Sequence, residues 1–202
     1  MRNNIIKVLC VVCLMAMALS AQDSKAAAKP ASKAKDSQAQ AMPPMPKPGP
    51  EVQRLAYFAG TWKTVGAMEA SEFGPGGKFT GTDHTEWLPG GFFLVTHSDG
   101  DMGAMGKMKE MSTMGYDTNK KVYTYHAVNS MGQEETYTGT VKGSDWDWRG
   151  DDVMNGKPIK GRFTTHEDSP TSYSMKFESS TDGGKTWKTA MTGKATKAGA
   201  AK

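Results

Sequence analysis

From Gly60 onward the chain alternates. Short stretches in which apolar and polar residues swap at every second position are cut by turn residues roughly every 8 to 12 positions, the signature of strands in an all-β sandwich or barrel. Strands are predicted near 61–70, 79–88, 91–98, 107–116, 121–128, 134–142, 145–150, 159–167, 171–179 and 186–193. Pro89-Gly90-Gly91, Asp117-Thr118-Asn119-Lys120 and Asp182-Gly183-Gly184 supply the fixed φ, side-chain-bonded and glycine positions that tight turns need. Ahead of them, Val52, Leu55, Tyr57 and Phe58 allow one or two helical turns ending at Gly60. About ten strands joined by hairpins predict an all-β fold, a closed antiparallel up-and-down β-barrel with a short N-terminal helix. Closure is favoured because it removes exposed sheet edges. A two-sheet sandwich is the alternative.

The first fifty residues follow different rules. Arg2 and Lys7 precede or interrupt an apolar run from Ile5 to Leu19, and Ala18-Leu19-Ser20 provides a small-x-small cleavage pattern. The run is too short for a membrane span and predicts a signal peptide over 1–21, hence an exported, periplasmic or secreted protein without a transmembrane segment in its mature form. Cys10 and Cys13 are the only cysteines and leave with the signal, so the mature chain has neither disulfide nor thiol chemistry. Residues 22–50 are Ala, Lys, Ser, Gln and Pro without an aromatic and predict a disordered linker. The barrel domain is expected over 51–193, followed by a flexible tail over 194–202.

Charge changes the picture only by exclusion. The net +4 comes from the signal and linker, since residues 51–202 hold 18 basic and 19 acidic residues. No basic stripe is left for a phosphate backbone, so nucleic acid is not an expected partner. Oligomeric state is not encoded in any pattern here.

Several segments together resemble a bacterial family known as domain of unknown function 1579. They are Leu55-Ala56-Tyr57-Phe58-Ala59-Gly60-Thr61-Trp62, Glu86-Trp87-Leu88-Pro89-Gly90-Gly91-Phe92-Phe93-Leu94, Gly115-Tyr116-Asp117 with Lys121-Val122-Tyr123, and Asp182-Gly183-Gly184-Lys185-Thr186-Trp187. The resemblance spans roughly 51–193. It implies a calycin barrel related in shape to lipocalins, fatty-acid-binding proteins and nitrobindins, and it implies no reaction. Gly60-Thr61-Trp62 is similar to the Gly-x-Trp signature that opens lipocalin barrels, where the Trp closes one end and stacks on an Arg of the last strand. Here Lys188 and Lys194 are the candidates in the expected last strand, which offers no Arg. Ser180 to Trp187 resembles an Asp-box, in which Asp182 would bond its own turn and Trp187 would pack beneath it.

Asp145-Trp146-Asp147-Trp148-Arg149 sets both tryptophans on one face, as filled core or as the wall of a ligand cavity. In the cavity reading Phe93, Tyr125, Trp146 and Trp148 lie near a small apolar guest. Met102, Met105, Met108, Met111 and Met114 recur at every third position, a spacing that fits neither strand nor helix. They read as a loop over the barrel mouth, or as thioether ligands for Cu(I) or Ag(I). Nitrobindin-like barrels hold haem through one histidine, so the resemblance also raises haem, with His84, His97, His126 and His166 as the available ligands. No cofactor is expected from the motifs themselves. There is no G-x-S-x-G and no zinc-type histidine spacing. The leading expectation is a binding protein for a small, mostly apolar molecule. The rivals are a filled-barrel interaction protein of the envelope, a soft-metal binder, and a hydrolase whose site is assembled across strands.

Overall fold

The computed structural model describes residues 46–199 apart from Phe73 and Asn155. The signal expected over 1–21 and the linker up to 45 lie outside the described residues. The chain enters through α1 (Pro50–Arg54) and a 3-10 turn (Leu55–Phe58). Ten strands follow: β1 (Gly60–Met68), β2 (Gly77–Trp87), β3 (Leu94–Asp101), β4 (Lys107–Asp117), β5 (Val122–Asn129), β6 (Glu134–Lys142), β7 (Asp145–Met154), β8 (Lys157–Ser169), β9 (Ser172–Ser180) and β10 (Lys188–Lys197). Among the described residues no helix is long and apolar enough to cross a membrane.

Each strand pairs antiparallel with its sequence neighbour, and β1 pairs with β10 from Trp62↔Lys197 to Met68↔Met191, closing the barrel. The turns form where their chemistry allows. Asp117 Oδ1 accepts from the Asn119 and Lys120 amides at 2.9 and 3.1 Å. Asp182 accepts from Ser180 Oγ (2.7 Å), the Lys185 amide (3.0 Å) and the Thr186 amide and hydroxyl (2.9 and 2.7 Å). Those bonds hold the Asp182 carboxyl well below the usual range, Thr186 contributing most. Trp187 donates to Gly184 O and lies under the Arg162 guanidinium at 4.6 Å. This Asp-box is a hairpin staple.

Two expectations are corrected. The last strand does not stop at 193: Lys194 to Lys197 pair with Val65 to Trp62, so the expected tail supplies the barrel's closing seam. The methionine-rich segment is not one mobile loop. Only Gly103–Met105 forms a 3-10 turn, whereas Met108, Met111 and Met114 belong to β4. The strand expected over 107–116 is β4, and the loop reading of the five methionines fails because that strand carries methionine on both of its faces.

The closed end is an aromatic plug. Leu55, Leu94, Trp62 and Trp146 are almost fully buried, and Trp146 stacks on Trp148 at 6.0 Å. Trp62 donates its indole N–H to Phe58 O at 2.8 Å and packs on Tyr173 at 4.9 Å. Its cation is Lys197, whose Nζ lies 5.1 Å from the ring. Neither Lys188 nor Lys194 serves, because only position 197 is in register with Trp62. Gly60 enters β1 at φ +113, and a Cβ there would come 2.9 Å from Lys197 Cε. The helical cap is bolted down by Glu167, which accepts from Arg54 Nη2 (2.5 Å) and Trp146 Nε1 (2.7 Å).

Large inward rings are housed over glycines on the next strand or the one beyond it. A Cβ on Gly139 would approach Trp148 to 2.4 Å, one on Gly66 would meet Phe79 at 2.5 Å, and one on Gly161 would meet the Tyr137 hydroxyl at 2.6 Å. Overpacking such a site costs about 1–3 kcal/mol. Gly139→Ala should therefore lower stability by about 1–3 kcal/mol, read as a lower urea midpoint with an unchanged slope; a midpoint equal to the parent's would show that Trp148 has room to move.

Candidate functional site

The interior divides into two halves. Below, toward α1, buried aromatic rings fill the plug. Above it, strand alternation turns a different set of side chains inward. On β2, β3 and β4 the registers align Thr85, Thr96 and Ser112 in one row and Asp83, Ser98 and Glu110 in the next. Thr85 and Thr96 share a hydrogen bond of 2.9 Å, and Thr64 donates to Asp83 at 3.0 Å. Tyr125 on β5 donates its hydroxyl to Glu110 Oε1 at 2.8 Å. Glu135 on β6 lies on the same face as Tyr137. The opposite wall, from β8 through β10 to β1 and on to β2, presents Ile159, Phe177, Met175, Met191 and Phe79. The upper lumen is thus polar and acidic on one side and apolar on the other.

Burial without cations shapes the acid side. Burial pushes the Glu135 carboxyl up to about 7, with the neighbouring Glu110 and Asp152 adding repulsion. Glu110 is raised by burial and by Asp83, against the opposing bond from Tyr125. Tyr125 is raised far more, by burial and then by Glu110.

Two grooves of about 340 and 270 Å³ open instead on the outer face. The first is lined by Arg149, Asp151, Lys160 and Trp187, the second by Asp145, Asp147, His166, Ser174 and Lys176, among others. Both carry charged side chains and lie outside the barrel lumen. The second sets Asp145, His166 and Ser174 side by side, with His166 Nδ1 2.6 Å from Asp145 Oδ1. These are the residue types of a hydrolytic triad. Ser174, however, donates its hydroxyl to the Asp168 carboxylate at 2.9–3.0 Å, and His166 stands exposed, so the row has the form of a solvated ion-pair ladder.

Comparison with known proteins agrees with this architecture. A family described as "Protein of unknown function (DUF1579)" matches residues 47–197. The chain belongs to the DUF1579 family. No curated protein matches it. The crystal structure of Rv2717c from M. tuberculosis is similar in fold at 13% identity, with a TM-score of 0.52 over 74% of this chain and 98% of that one. Two further barrels are more distant, each with a TM-score of 0.39 and 14% identity. The redesigned β-barrel b11L5F_LGL covers 70% of this chain and 92% of its own. EF1p2_mFAP2b bound to DFHBI covers 72% and 98%.

The residues singled out from the DUF1579 sequence scatter. Trp146 and Trp148, 1% and 5% exposed, are filled core rather than the walls of a cavity. Phe93 is corrected outright: it is 44% exposed and lies over Gly115 on the outer face, because Leu94 takes the inward position at the start of β3. Tyr125 alone of the four reaches the upper lumen. The five methionines do not converge, since Met108 and Met114 alternate inward while Met111 points out, 46% exposed. All four histidines are exposed. A haem held within the barrel by an axial histidine does not fit this arrangement. Sequence reasoning missed Glu110 and Glu135, which look like ordinary surface carboxylates until alternation from Ser112 and Tyr137 is counted back to them.

A raised carboxyl keeps a proton that the unfolded chain has already released. Stability therefore falls as pH rises from the ordinary carboxyl value of 4.5 toward 7, and it returns in acid. Glu135→Gln should flatten this slope and stabilise the chain at pH 8 by on the order of 1–3 kcal/mol, while leaving pH 4 stability close to the parent's. Parallel slopes for variant and parent in urea titrations across pH 4–8 would refute the assignment.

Proposed function

We propose that this DUF1579 protein is an exported, calycin-like binding protein that takes a small, mostly apolar molecule into the upper half of its barrel. One observation carries the reading. The plug end is closed to water, whereas the inward side chains Met108, Glu110, Glu135, Met175, Phe177 and Met191 keep partial exposure. Polar groups inside a barrel that stay within reach of water match a mouth more than a core. The apolar arc of Phe79, Ile159, Phe177, Met175 and Met191 would hold the body of the guest, and the Tyr125–Glu110 pair would meet a hydrogen-bonding group on it. Export is supported by the charge and apolar pattern of the first 21 residues. An entirely filled barrel acting through its surface is the rival reading.

Titration of the chain, labelled at its methionine methyls, with a panel of medium-chain fatty acids and small aromatic compounds should move the Met175 and Met191 signals and leave Met111 still. A Met175→Trp variant, which fills the lumen, should weaken binding of any hit about tenfold or more, about 1.4 kcal/mol. Shifts confined to outer-face methionines, or no binder across the panel, would favour the filled barrel.

A further inference from the structure

The outer face of the barrel carries a row that the ligand reading does not use. The registers set His84 on β2 opposite His97 on β3, and His97 opposite Met111 on β4. All three side chains are exposed. Met111 and its β5 partner Val128 remain 46% and 48% exposed, so this thioether is not committed to the core. Directly opposed cross-strand residues on one face have Cβ atoms about 4.5–5.5 Å apart. With metal–nitrogen bonds of about 2 Å, that spacing lets one ion touch both imidazoles.

The ring of His84 is already oriented. Thr61 Oγ1 on β1 lies 2.9 Å from its Nδ1, which leaves Nε2 on the side away from β1. A hydrogen bond to the second ring nitrogen is the usual way a ligating histidine is held. Next along the same face, Asp99 and Lys109 are engaged with each other at 2.6 Å, which leaves both ends of that pair occupied beside the row. Among the described residues no three His, Cys, Asp or Glu side chains gather as a metal group. The third donor here is sulfur, and that decides the metal: a thioether selects soft monovalent ions, while imidazole accepts many.

We propose that His84, His97 and Met111 form a surface site for Cu(I), bound through two imidazole nitrogens and one thioether sulfur. Met111 acts here apart from the other methionines of its segment, because alternation along β4 brings it alone to the histidine face. The site is independent of the lumen and stands whether or not the barrel takes a guest.

The test uses the full chain with C10S and C13S, so that no thiolate competes. With one equivalent of Ag(I), a redox-silent substitute for Cu(I), the imidazole signals of His84 and His97 and the methyl of Met111 should shift together. The methyls of Met108 and Met114 should not. In anaerobic competition with a chromophoric chelator, His84→Ala and His97→Ala should each lower Cu(I) affinity about tenfold or more. Met111→Leu should do the same for Cu(I) and leave Zn(II) binding to the histidine pair intact, and His166→Ala should change nothing. Cu(I) affinity that survives H84A/H97A, or a Met111→Leu variant equal to the parent, would overturn the assignment. The Ag(I) shifts are read on the parent side chains, so the test does not depend on how any variant folds.

Discussion

The pairing of β1 with β10 is the constraint on which the rest of this structure depends. A sheet of ten strands has two edges of unpaired backbone groups, and joining the first strand to the last satisfies both at once. Closure also defines an inside. Once Trp62 and Lys197 face each other across that seam, every second residue of every strand is committed to a shared interior. An uncrosslinked barrel has no other device for bringing residues about 135 positions apart in the chain together.

The interior is then filled unevenly. At the α1 end, indole and phenol rings pack edge to face and cover nearby glycines, and the few polar groups are paired, as Trp146 is with Glu167. Toward the other end the rings give way on one wall to carboxyls, hydroxyls and Tyr125. A barrel built only for stability would not retain carboxyls such as Glu110 and Glu135 on its inner wall, since each raises the cost of ionising the other. Their presence concentrates the chemical interest in the half of the lumen that water reaches, and it ties stability to pH through the same groups.

The outer surface is organised by the same registers. Rows that cross several strands place side chains far apart in sequence at neighbouring positions, whether as the Asp145–His166–Ser174 ladder or as the His84–His97–Met111 row. Local hydrogen bonds then give such rows different characters. Ser174 is turned to Asp168, which separates its hydroxyl proton from the imidazole beside it. His84 is held by Thr61 on the side away from His97, which keeps its second nitrogen available.

Much of this was legible in the order of residues. Alternation and turn chemistry determined ten antiparallel strands, the helical entry, the Asp182 staple and the burial of Trp62, because each depends on neighbours within one strand or one hairpin. Between Met102 and Met114 the every-third methionine cuts across the period of two, so these residues support a loop as readily as the strand over 107–116. Lys197, set among Ala, Gly and Thr, carries no strand signal of its own and owes its place in β10 to pairing with Trp62 across the seam. Which glycine lies beneath which ring, whether Trp148 fills or lines the lumen, that Phe93 faces out, and which histidines stand beside a methionine were decided only by tertiary structure. Those facts depend on inter-strand register, and register is set by the closure of the whole sheet rather than by any segment alone.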